Sequence, residues 1–175
     1  MDLQRLGIKL FAQDPAGVDV RDFIVVFHEW IQNQAILDHL LIDIHDYSHI
    51  HNGPGILLVA HEGNFSLDMA DGRLGLLYQR KQALSGNFEE RLAAMFKITL
   101  QARDLIEKTG KLRFRSDEFQ IIANDRLSAP NTAPTMTQMK PEVASALKQV
   151  FPGTEFTLAP SAANSKERFA LSCRL

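Results

Sequence analysis

The chain has 175 residues, 45% of them hydrophobic, and a formal charge of −2, with Lys and Arg interleaved among Asp and Glu. That length and composition predict a single domain, 1–175, with enough apolar material for a core, and the lack of a basic stripe argues against nucleic acid as a partner. The lone cysteine, Cys173, excludes an intrachain disulfide, and no run approaches the roughly 18 apolar residues of a membrane span, so a reducing, cytoplasmic setting away from membranes is expected.

Met1–Gly17 lacks the basic start and long apolar core of a signal peptide and reads as a first strand. Arg5–Gln13 alternates Leu6, Ile8 and Leu10 against Gly7, Lys9 and Phe11, and Asp14-Pro15-Ala16-Gly17 ends it. Asp19 is a suitable N-cap for a helix carrying Val20, Phe23, Ile24, Phe27, Trp30 and Ile31 on one stripe. Val25 and Val26 widen that stripe and predict a helix covered on two sides, with His28 at its rim.

Leu40–Tyr47 and Ile56–Glu62 read as strands joined at the turn cluster Asn52-Gly53-Pro54-Gly55. The nearly all-apolar run Ile56–His61 predicts a central strand covered on both faces. A turn centred on that cluster sets Asp46 opposite His61 and His45 opposite Glu62. Next, Asp71-Gly72 tolerates positive φ at both central positions of a hairpin turn. The register it implies pairs Phe65 with Tyr78, Leu67 with Leu76 and Met69 with Leu74, all on one face, and a slip of one residue would expose that whole set.

Asn87 and Glu90 form a capping-box pair at the head of the longest helix, whose stripe includes Phe88, Leu92, Met95, Phe96, Thr99, Ala102 and Ile106. Gly110 is a natural terminator. Leu112–Arg115, a Ser116-Asp117 turn and Glu118–Asp125 predict a second hairpin, and Leu127–Lys140 a long loop. Pro141 is placed as the first residue of a helix through Phe151. Glu155–Leu158 and Arg168–Arg174 close the chain as strands, with Cys173 a small buried residue. The element order of 5–62 recurs over 119–175, which raises an internal β-α-β-β duplication. The fold class is α+β: a largely antiparallel sheet with helices packed on one face.

No motif names a reaction. The chemistry-bearing cluster is His45, His49, His51 and His61 with Asp46 and Glu62. Imidazole and carboxylate are the ligand types of a divalent metal, although the spacing matches no metal signature and exposed loop histidines explain the same residues. A carboxylate-oriented imidazole, Asp46–His61 or His45–Glu62, would also suit general-base chemistry. Ser48 and Ser66 lie near but in no nucleophile-elbow sequence. Asn52–Gly55 lacks the lysine and helix of a phosphate loop. Asp68 and Asp71 are explained by strand and turn positions, and Arg113 and Arg115 by an exposed strand face.

Three readings follow. The favoured one is a non-catalytic α+β protein with no required cofactor, binding a small ligand or a partner and forming a homo-oligomer through its wide apolar stripes. The second is a metal-dependent enzyme built on His45, His49, His51 and His61. The third is a metal-free hydrolase or lyase built on Asp46 and His61.

Overall fold

The computed structural model describes residues 2–161 and 166–175; Met1 and 162–165, which fall within the 1–175 domain (and 162–165 within the second repeat), lie outside them. Eight strands form one antiparallel sheet: Leu6–Gln13 (β1), Leu41–Tyr47 (β2), Gly55–Ala60 (β3), Gly63–Asp68 (β4), Gly75–Arg80 (β5), Arg113–Ala123 (β6), Thr157–Pro160 (β7) and Ala170–Arg174 (β8), ordered β2-β3-β4-β5-β1-β6-β8-β7. Three helices, Phe23–Asn33 (α1), Phe88–Glu107 (α2) and Ala133–Val150 (α3), pack on one face, which makes this a mixed α+β fold. No helix among the described residues is long and apolar enough to cross a membrane.

The first strand of the chain takes the fifth place of eight in the sheet. Leu6, Ile8 and Leu10 of β1 point into the helix-covered core, while Gly7, Lys9 and Phe11 lie on the other face, yet all are buried. Two neighbours explain this: β1 pairs with β5 along one edge and with β6 along the other. The run 56–61 is therefore not the central strand. It becomes β3, second from the edge, with Ile56 and Leu58 in the core but Leu57 and Val59 only half-buried.

The β4–β5 hairpin has the register its pattern demands, with Phe65 opposite Tyr78 and Leu67 opposite Leu76. Asp71 (φ 59°) and Gly72 (φ 66°) both adopt the left-handed backbone that the turn needs, and the Arg73 N–H closes it on the Ala70 carbonyl at 3.2 Å. Phe65 and Tyr78 stack with centroids 4.7 Å apart, a cross-strand contact worth about 0.2–1 kcal/mol.

The helices follow their caps. In α2 the Asn87 side chain accepts from the Glu90 N–H, and the Glu90 carboxylate accepts from the Asn87 N–H, both at 2.9 Å. Its 20 residues span about 30 Å, enough to lie across β5, β1 and β6. Asp19 caps a short 3-10 turn, Val20–Asp22, that leads into α1. That helix is covered on one side only: Val26 is buried, but Val25 is 64% exposed.

Two further expectations are corrected. Within residues 112–125, Arg113–Ala123 forms one strand and there is no hairpin. Leu10 pairs with Phe119 while Ala12 pairs with Phe114, so both ends of β6 lie along the same edge of β1 and residues 115–118 bulge out between them. Two segments that both pair with β1 in one direction cannot also fold back on each other. The supposed long loop also ends early, because α3 begins at Ala133, with Pro134 in its first turn and Pro141 inside it. Thr135, Met139, Val143 and Leu147 recur every four residues on the buried face, so tertiary packing holds the helix through the hydrogen bond that Pro141 cannot donate. Burial of the Cys173 side chain pushes its thiol up to about 12.

β1 and β6 lie side by side, antiparallel, and each leads through a helix to further strands. β8 sits beside β6 as β5 sits beside β1, whereas β2 and β3 stand at the far edge.

Candidate functional site

The histidine neighbourhood does not assemble as its strand pattern suggests. β2 and β3 pair with His45 opposite Leu57 and Asp46 opposite Ile56, five residues short of His61 and Glu62. The reversal turns about His51, through Ile50 N–H to Tyr47 carbonyl and Gly53 N–H to Ile50 carbonyl bonds. Asn-Gly-Pro-Gly is thus the end of the loop rather than its apex. Gly55 already belongs to β3, where its φ is +59° and the Leu67 carbonyl occupies the space that a side chain would need. Neither the Asp46–His61 nor the His45–Glu62 cross-strand pair forms.

Three of these four residues have local partners instead. Hydrogen bonds from Ser48 hold the Asp46 carboxyl below its ordinary range. Glu62 accepts from the Leu40 N–H at 2.8 Å. His45 stacks on Tyr47 and lies 3.8 Å from Asp43. His49, His51 and His61 are exposed. Among the described residues, no group of three or more His, Cys, Asp or Glu is placed to hold a metal ion.

A histidine that the pattern did not single out is the buried one. His39 Nδ1 lies 2.9 Å from the Leu37 carbonyl, which can only accept, so Nδ1 carries the proton. Nε2 is then the acceptor for the Tyr78 hydroxyl at 2.8 Å, and that hydroxyl accepts from Arg80 at 3.3 Å. Burial pushes His39 below its ordinary value, against the opposing Leu37 bond, and keeps it neutral. Burial pushes the Tyr78 phenol up, against the pull of Arg80. Tyr78 is fully buried, so this chain of bonds seals one end of the core. No spacing pointed to it, because His39 lies in the α1–β2 connection and its partner is 39 residues away.

Of several concave features, one lies on the sheet face that carries no helix. The 115–118 bulge and the residue after the β4–β5 turn meet beside this face, where Arg73 reaches both Glu118 and the Phe11 ring. Lys9 anchors the tip: its Nζ donates to Asp68 Oδ2 at 2.6 Å and to the Ala70 carbonyl at 3.2 Å. Asp68 also accepts from the Ala70 N–H at 3.2 Å. Across the bulge, both terminal nitrogens of Arg73 reach the Glu118 carboxylate at 3.0 Å, in the two-pronged geometry that suits guanidinium and carboxylate. The Arg73 guanidinium lies 3.6 Å from the Phe11 ring centroid. Arg115 and Arg174 approach Glu118 at 3.8 and 3.9 Å. The bond from Arg73, reinforced by these neighbouring charges, holds the Glu118 carboxyl below its ordinary range although the residue is buried.

Between the hairpin tip and β7 runs a groove with two adjoining chambers. The larger, of about 430 Å³, is lined by Phe11 of β1, Arg73, Gln120 of β6, Ser172 and Arg174 of β8, and Thr157 of β7, among others. The smaller, of about 240 Å³, shares Asp71, Gln120 and Ser161 with it and is lined further by Arg126, Glu167 and Arg168. A small apolar shelf of Leu77, Ile122 and Ala170 adjoins it, separate from the main core. Such a site offers shape, guanidinium and hydroxyl donors and some apolar contact. The sequence hid it because its residues come from 11, 71–73, 118–126, 157–161 and 167–174 and meet only through sheet order. The readings of Asp71 as a turn residue and Arg115 as an exposed one hold, but each stands on the rim of this groove or its bulge.

No protein-family model matches this chain, no curated protein is detectably similar to it, and no solved structure matches its fold.

Proposed function

We propose that the protein is a non-catalytic cytoplasmic binding module whose working surface is the groove on the helix-free sheet face. The observation that carries this reading is the build of that groove. Its rim is fixed by two ion pairs at the sheet, Lys9–Asp68 and Arg73–Glu118, while Gln120, Ser172 and Arg174 face the open space. Rigid walls with uncommitted polar groups between them are what a small-ligand site needs. Amide chemical-shift mapping against a fragment library tests it. Perturbations should concentrate at Arg73, Gln120, Ser172 and Arg174; a library that shifts only residues elsewhere refutes it.

Self-association is a second reading with its own support. Five of the six exposed large hydrophobic side chains among the described residues are Val25, Leu37, Leu40, Ile42 and Ile50, all between α1 and the β2–β3 loop. Light scattering over a hundredfold concentration range tests it: an unchanging monomer mass counts against a homo-oligomer.

A further inference from the structure

We infer that the groove takes a small anion, a carboxylate or phosphate group, with Arg174 as its principal anchor; this rests on the groove being the binding surface.

The argument is an inventory of charge. The acids around the groove, Glu118 and Asp68 buried and Asp117 exposed, are already engaged. Glu118 is held in two-pronged fashion by Arg73, Asp68 by Lys9, and Asp117 by Arg115. The cations left over are Arg126, Arg168 and Arg174, which line the groove and make no side-chain hydrogen bond among the described residues. Against them stand two lining carboxylates, Asp71 and Glu167. Counting every charged side chain that lines the groove, four are positive (Arg73, Arg126, Arg168, Arg174) and three negative (Asp71, Glu118, Glu167), on a chain whose overall charge is −2.

Arg174 is the strongest of the three. Its guanidinium lies 3.9 Å from Glu118, too far for a hydrogen bond, and its side chain is 73% exposed. It thus keeps its planar fork of donors for a ligand, the geometry that matches carboxylate and phosphate oxygens. Ser172, Thr157 and Gln120 line the same chamber and supply neutral donors around that position. The nearest acid, Glu118, has both oxygens bonded to Arg73, which offsets much of its charge beside Arg174. Arg168 and Arg126, at the far chamber, offer a second contact for a ligand with two acidic ends.

The test is a low-salt titration of the intact protein with inorganic phosphate and with citrate, followed by amide shifts and calorimetry. Neutral fragments run in parallel. Saturable shifts at Gln120, Ser172 and Arg174 are expected, weakened at least tenfold in Arg174→Gln and progressively by sodium chloride. Arg103→Gln, on α2 and paired with Asp104, should bind as the parent does. Wild-type affinity in Arg174→Gln overturns the inference. Groove shifts with neutral fragments but none with either anion overturn it too, while leaving the binding surface intact. Silence of the groove toward every probe removes both.

Discussion

Replacing Lys9 by methionine isolates the bond that holds the hairpin tip over the sheet. Lys9 and Asp68 lie 2.6 Å apart, with side chains only 3% and 9% exposed. Without the ammonium group, the Asp68 carboxylate keeps one hydrogen-bond donor, the Ala70 N–H at 3.2 Å, and water cannot reach it freely. Breaking one side of such a buried pair costs about 3–5 kcal/mol. At roughly 2–4 °C per kcal/mol for a domain of this size, the Tm should fall by about 6–20 °C. Urea unfolding followed by far-UV circular dichroism measures the loss directly. The double variant Lys9→Met/Asp68→Leu removes both charges and should recover most of it, since a buried pair replaced by apolar side chains is often neutral or stabilising. A single variant that costs under about 1 kcal/mol, or a double variant as damaged as the sum of its parts, would refute the reasoning.

Three other outcomes are expected. His39 is pushed below its ordinary value by burial, so the unfolded chain takes up a proton below about pH 6.5 that the folded chain refuses, and stability should fall as pH drops below that point, by at most about 1.4 kcal/mol per pH unit. His39→Asn should flatten that slope between pH 7 and 5.5, and equal slopes in the two proteins would show that another group is responsible. In Gly55→Ala, the new methyl would stand 2.1 Å from the Leu67 carbonyl oxygen with φ at +59°; a loss of about 2–4 kcal/mol by urea unfolding is expected from strain and crowding together. In Gln34→Ala, Leu41 loses both edge-capping bonds, Leu41 N–H to Gln34 Oε1 at 3.0 Å and Gln34 Nε2 to the Leu41 carbonyl at 3.1 Å. An uncapped edge strand invites pairing with another chain, so light scattering should show more association than in the parent, and no change would mean that the clasp does not guard the edge.

What the residue pattern made legible was local. The β4–β5 register, the Asn87–Glu90 box and the Asp19 cap each depend on groups within a few residues of one another, where turn chemistry and alternation agree. What it hid depended on distance along the chain. Nothing near Ser116-Asp117 reveals that β1 is waiting to pair with both Phe114 and Phe119, so a bulge looked like a hairpin turn. Pro141 resembled a helix start because the buried Thr135–Met139–Val143 face that carries α3 through it depends on packing against the core. The histidine cluster failed by a register error of five residues, because the Tyr47–Gly53 loop closes earlier than the Asn-Gly-Pro-Gly signal suggests. The groove joins five separate stretches and had no signature to read.

The place of β1 sets how this sheet must come together. Its partners are far away along the chain: Gly7 meets Gln79 on one edge, and Leu6 meets Ala123 on the other. Each closure is a long loop with little local reward, the kind of topology that folds in milliseconds to seconds rather than microseconds. It also makes Leu6–Gln13 a keystone. Trimming a terminal strand usually shortens a sheet, but removing this one would cleave it into a four-stranded wing and a three-stranded wing, each with a raw border where the missing strand had been.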